Sequence, residues 1–141
     1  MSVWVCGYLR SVSPKILTAK NGKTGVQAEF NLVDIESVKD EEFDAYPDRT
    51  IFQTRQWVNF IARTQRAVPV MAVLRQGDHT LGYFTGLIVR KFGFKILESP
   101  FPGWSTFYMG FNLRPGISRS LALEALTRFA FKDLKCEYWI R

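Results

Sequence analysis

Apolar and polar positions alternate along residues 26–35 (VQAEFNLVDI), with Val26, Ala28, Phe30 and Leu32 to one side, and this predicts a first strand. Ser37 then stands where it would cap a short acidic helix, SVKDEEFDAY, whose Asp40, Glu41 and Glu42 suit the positive end of a helix dipole. Pro47 stops it. Thr54 opens a second helix, TRQWVNFIARTQ, in which Trp57, Phe60, Ile61 and Thr64 recur at the spacing of one helical face. After Pro69 the segments VMAVLR and TLGYFTGLIVR, joined by Gln76-Gly77-Asp78, read as a hairpin.

In the second hairpin arm Tyr83, Thr85, Leu87 and Val89 fall on one face, with Phe84, Gly86, Ile88 and Arg90 on the other. Gly82 and Gly86 mark a bulge or a close backbone approach. Gly93 turns the chain into a third meander strand, FKILES. Further on, Ser118 caps a third helix, SRSLALEALTRFAFKDL, with Leu123, Leu126, Ala130 and Leu134 along its inner stripe. CEYWIR reads as a last strand.

Between the meander and the third helix lies SPFPGWSTFYMGFNLRPG, residues 99–116. Its prolines and glycines oppose regular structure, yet it carries Phe101, Trp104, Phe107, Tyr108, Met109 and Phe111. A connection of this length without secondary structure tends to be functional in a compact domain. One alternative makes TFYMGF, residues 106–111, a further strand. Even then SPFPGW remains a stiff aromatic wall suited to a pocket or a partner surface.

Composition changes the picture little. The chain has 141 residues, 47% apolar and 23% charged, which fits one globular domain, and its apolar runs fall short of a membrane span. The formal charge of +6 is unevenly spread. Residues 1–25 hold Arg10, Lys15, Lys20 and Lys23 without an acid, leaving 15 basic against 13 acidic residues from Val26 onward. A near-balanced body argues against nucleic acid as a partner. Residues 1–25 lack periodicity and read as a disordered or non-native extension, with residues 26–141 as the folded unit.

Candidate chemistry is sparse. The single histidine, His79, would need a Ser or Cys partner for nucleophilic catalysis but falls in the hairpin turn and reads as solvent-exposed, and the acids of residues 40–44 read as a solvated helix face. Cys6 and Cys136 form no CxxC pair, so no metal site can be composed from them, and two idle thiols fit a reducing, cytoplasmic setting. No Gly-rich phosphate loop occurs.

Three phrases taken in order, FQTRQW (52–57), VMAVLRQGDHTLGYFTGLIVRKFG (70–93) and ILESPFPGWSTFYMGF (96–111), resemble the GNAT-type acetyltransferases of the Fem-like kind, relatives of the Fem (FemAB-related) aminoacyltransferases of peptidoglycan synthesis. The resemblance covers about residues 28–141. It implies an α+β, GNAT-like (acyl-CoA N-acyltransferase-like) lobe: a mixed, mostly antiparallel sheet flanked by helices, incomplete at its C-terminus. Family members carry two such lobes, and this chain resembles the first. The implied function is transfer of an acyl or aminoacyl group to an amine, such as a small molecule or a peptidoglycan-precursor-like acceptor. A non-catalytic lobe that docks a partner is the alternative.

By that resemblance Gln53, Arg55 and Trp57 are candidates for contacting an acceptor, and Phe101, Trp104 and Tyr108 for lining the same crevice. Trp57 is equally a core residue of its helix. Acetyl-CoA or another acyl donor is implied for the full-length family. Here, however, the turn that holds pyrophosphate in the family reads NLRPGISRS (112–120), with one glycine where the pattern has two and Pro115 lacking an amide hydrogen. The chain alone is therefore expected neither to bind acetyl-CoA tightly nor to transfer an acyl group. A second lobe, or self-association as a dimer, is expected to pair with the edge at Tyr138–Ile140.

Overall fold

The structure, a computed structural model, describes residues 27–39, 41–42, 46–100 and 105–140. Among these, six strands form one sheet: β1 (Glu29–Val33), β2 (Val68–Gln76), β3 (His79–Lys91), β4 (Phe94–Glu98), β5 (Gly110–Leu113) and β6 (Tyr138–Ile140). Helices α1 (Arg55–Gln65) and α2 (Arg119–Arg128) lie on opposite faces. The class is α+β and mostly antiparallel, as expected; only β6 runs parallel to its neighbour, β4.

The central strand carries the predicted alternation. Phe84 and Ile88 pack beneath α2 with Phe30, Leu97, Phe111 and Leu126. Leu87 and Val89 face α1 with Val58, Ile61 and Met109, and Tyr83 continues that face among Val38, Tyr46, Met71 and Val73. The hairpin turns at Gly77, φ +57°, and the next one at Phe92 and Gly93, φ +52° and +83°.

Several details differ from the pattern. In α1 the buried residues are Val58, Ile61 and Ala62, while Phe60 is 53% exposed and Thr64 is open to solvent. The stripe is rotated because Val58 and Ala62, four residues apart and small, let the helix sit close on Leu87 and Met109. Thr54 does cap it, accepting from the Trp57 amide at 3.4 Å. The Ser37 hydroxyl donates to the Asp34 carbonyl in a turn; Glu41 and Glu42 are helical, and the rest of the expected acidic helix lies largely outside the described residues. The first strand is shorter than residues 26–35, and Leu32 is exposed because β1 is the outermost strand of the sheet. The third helix does not run evenly to Leu134 but passes at Phe129–Asp133 into a π-helical turn, closed by the Leu134 amide on the Phe129 carbonyl. Its inner stripe is Ala122, Ala125, Leu126, Phe129 and Ala130, with Leu123 half-buried.

The alternative strand at residues 106–111 forms only in part, since β5 begins at Gly110. β4 and β5 pair with one and the same edge of β3, because β2 fills the other. Leu87–Lys91 takes β4 and Gly82–Thr85 takes β5, so the two are one strand position interrupted opposite Gly86. The chain leaves the sheet after Glu98 and rejoins it at Gly110. A Cβ on Gly86 would stand 3.0 Å from the Glu98 carbonyl oxygen and 2.8 Å from the Phe84 ring, the close approach its glycine predicts.

Gly110 restarts the strand at φ +52° with the Tyr108 ring lying over it, and a Cβ there would stand 2.7 Å from the Tyr108 hydroxyl. Gly77 has a similar φ and nothing within 4 Å. Both alanine variants bear the left-handed backbone strain, of order 1 kcal/mol, and Gly110→Ala adds overpacking of about 1–3 kcal/mol. Urea denaturation is expected to show Gly110→Ala less stable than Gly77→Ala; equal losses would mean that Tyr108 does not sit on this strand start.

Candidate functional site

Two sets of side chains meet at the interruption. The first fastens the chain that leaves the sheet. The Ser99 hydroxyl donates to the Thr85 carbonyl and accepts from the Gly110 amide, standing in for the ladder bonds missing at the gap. The Gln53 amide nitrogen donates to the Met109 carbonyl while its oxygen accepts from the Thr50 amide at 2.8 Å. The Trp57 indole donates to the Thr106 hydroxyl at 2.9 Å, and the Tyr108 hydroxyl joins the Phe111 amide and carbonyl at 3.1 and 3.2 Å. Met109 and Thr106 are buried by these bonds.

Gln53 and Trp57, two of the three predicted acceptor contacts, thus hold the departing chain in place. Gln53 is fully buried, and Trp57 is half-buried against Phe52 and Phe60. The Arg55 guanidinium pairs with Glu36 at 3.1 Å and donates to the Val38 carbonyl at 3.2 Å, tying α1 to the turn after β1. Phe101 and Trp104 lie outside the described residues. Tyr108 reaches the rim of a cavity of about 190 Å³ on the α2 side, beside Ser99, Gly110, Phe111, Arg119 and Leu123.

The second set is polar, buried and spread over three strands. Glu98, Thr85 and Asn112 are each fully buried, and among the described residues neither Glu98 oxygen, nor the Thr85 hydroxyl, nor either amide atom of Asn112 has a hydrogen-bond partner. Cross-strand partners share a face, and Glu98 lies opposite Leu87, Asn112 opposite Tyr83, with Thr85 between Tyr83 and Leu87 along β3. All three therefore stand on the α1 face, in a row that follows the interruption. Buried polar atoms normally find partners, so a row of orphans marks a functional position. A signal was present: strand alternation places Glu98 in line with Ile96 and Phe94, where a carboxylate has no reason to be.

Burial pushes the Glu98 carboxyl from its ordinary 4.5 up to about 8, with Lys91 pulling weakly the other way. Burial and the hydrogen bond to Glu42 likewise raise the Tyr83 phenol, and burial raises the Cys136 thiol. The turn after β5 joins it to α2. Pro115 has no amide hydrogen, the Arg114 amide is bonded to the Leu81 carbonyl, and the Ile117 amide is bonded to the Arg114 carbonyl.

Compared with known proteins, the chain matches no family model, no curated protein and no solved structure. No helix among the described residues is long and apolar enough to cross a membrane.

The Glu98 carboxyl holds its proton more tightly in the folded chain than in the unfolded one, so stability falls as pH rises from 4.5 to about 8 and levels above it. The fall from pH 5 to 8 is expected to be on the order of 2–4 kcal/mol, at most about 1.4 kcal/mol per pH unit. Urea midpoints should decline for the natural chain and stay level for Glu98→Gln. Parallel declines in both would remove Glu98 as the titrating group.

Proposed function

We propose that residues 26–141 form a GNAT-like lobe of an N-acyltransferase of the Fem-like kind, shaping the site where an amine accepts an acyl or aminoacyl group. The supporting topology is the order strand, helical segments, three-strand meander, short strand, helix, strand, with a break between β4 and β5 along β3 and the last strand parallel to β4. The observation that carries the reading is Glu98, an unpartnered buried carboxyl at that break.

The chemistry follows from the acceptor. An amine reaches the site as an ammonium ion and must lose a proton before its nitrogen can attack an acyl carbon. A carboxyl poised near 8 has the proton affinity for this exchange at neutral pH. Thr85 and Asn112 supply the neutral acceptors and donor that would orient the nitrogen. No step is assigned to a coenzyme here, because the turn at residues 112–120 does not fit a pyrophosphate. The donor is held by a second lobe in this reading, with a cytoplasmic location.

A second reading, a non-catalytic lobe that docks a partner, draws on one surface feature. Phe107, Phe52, Trp57 and Phe60 form a chain of ring contacts at 5.9, 5.2 and 5.7 Å, and its ends Phe107 and Phe60 are 86% and 53% exposed. Such aromatic surface suits a protein contact.

Calorimetric titration of the chain with simple primary amines at pH 7, in buffers of different ionisation enthalpy, separates the two. An amine binding as ammonium against Glu98 should release about one proton, and Glu98→Gln should abolish that release. Acetyl-CoA should not bind at micromolar concentrations. Absence of proton-linked amine binding would favour the docking lobe.

A further inference from the structure

On the α1 face, at the far end of β3 from Glu98, a cavity of about 530 Å³ is lined by Glu42, Tyr46, Thr80, Tyr83, Arg114 and Pro115. Among the described residues its charges are one carboxylate and one guanidinium, and they do not pair with each other. The Tyr83 hydroxyl donates to Glu42 at 2.9 Å and is thereby held in place, and Tyr46 meets Tyr83 edge to face at 5.6 Å. The Arg114 side chain has no hydrogen-bond or ion-pair partner among the described residues, although its backbone amide is fixed to Leu81. A guanidinium left unpaired at the rim of a built cavity is a fork waiting for a carboxylate.

The pairing of signs selects the ligand. A plain anion would be repelled by Glu42 and a plain cation by Arg114, whereas a molecule carrying both charges satisfies both. The tyrosine pair and Pro115 offer an apolar wall between them, and the volume exceeds what a glycine-sized ligand fills. We infer that this cavity binds a small zwitterion, an amino acid with a bulky apolar side chain or a short peptide, with its carboxylate on Arg114 and its ammonium on Glu42. Binding requires no acyl donor, so the inference stands apart from the acyl-transfer reading. The two are nonetheless close in space: Tyr83, which walls the cavity, is the cross-strand partner of Asn112, the first of the buried orphans.

Free phenylalanine is the probe, titrated by calorimetry at pH 7 in the absence of any acyl compound. Its amide keeps the ammonium and lacks the carboxylate; N-acetylphenylalanine does the reverse. Phenylalanine should bind at least about ten-fold more tightly than either, a difference of ~1.4 kcal/mol. Arg114→Gln should weaken phenylalanine and the N-acetyl compound by about ten-fold and spare the amide, and Glu42→Gln should weaken phenylalanine and the amide while sparing the N-acetyl compound. Circular dichroism of both variants should match the natural chain, since both positions are exposed. No heat with phenylalanine at millimolar concentration overturns the inference. So does equal affinity for the three compounds, or loss of all three in both variants.

Discussion

The structure turns on one break in a ladder. Strands are held by a repeating register of backbone bonds, and β3 offers its free edge to β4 and β5 as if to a single partner. Opposite Gly86 that partner departs and returns, and the backbone groups left over there must be satisfied some other way. Ser99 does this with one hydroxyl, accepting from Gly110 and donating to Thr85. The fasteners from α1 and the turn before it, Gln53 and Trp57, hold the departing chain so that the break is a fixed gap rather than a frayed end.

The consequences spread from that gap. A continuous strand would carry side chains of the core at every other position, and a carboxylate at Glu98 would be excluded from it. With the strand interrupted, Glu98 becomes a strand end turned towards α1, and Thr85 and Asn112 fall in the same row by the plain arithmetic of alternation. The cost of burying these atoms unpaired is several kcal/mol in general terms. A fold that tolerates it has its stabilisation elsewhere, in the closely packed apolar layers beneath α2 and α1.

How far the residues foretell this differs by kind of information. Alternation in TLGYFTGLIVR set out the central strand and both of its faces, because a strand buried on two sides leaves a strong pattern. Gly82 and Gly86 announced close approaches that the structure bears out. Helix α1 was legible in its extent but not in its inner face. Large aromatic residues dominate a periodicity count, whereas Val58 and Ala62 govern how near the helix can sit. The polar row was illegible for a different reason. Its members lie on three strands, and only the register, set by the position of the break, brings Glu98, Thr85 and Asn112 to one face. Gln53 and Trp57, candidates for contact with a ligand, grip the chain itself, a role that their residue types fit equally well.

The central claim is that Glu98 is a buried, unpaired carboxyl at the break. Its titration is most directly followed by nuclear magnetic resonance of the side-chain carboxyl carbon in the intact chain, assigned by comparison with Glu98→Gln. The midpoint is expected near 8, well above the ordinary 4.5. A midpoint close to 4.5 would contradict it, showing a carboxylate that is hydrated or paired and leaving the break without its acid.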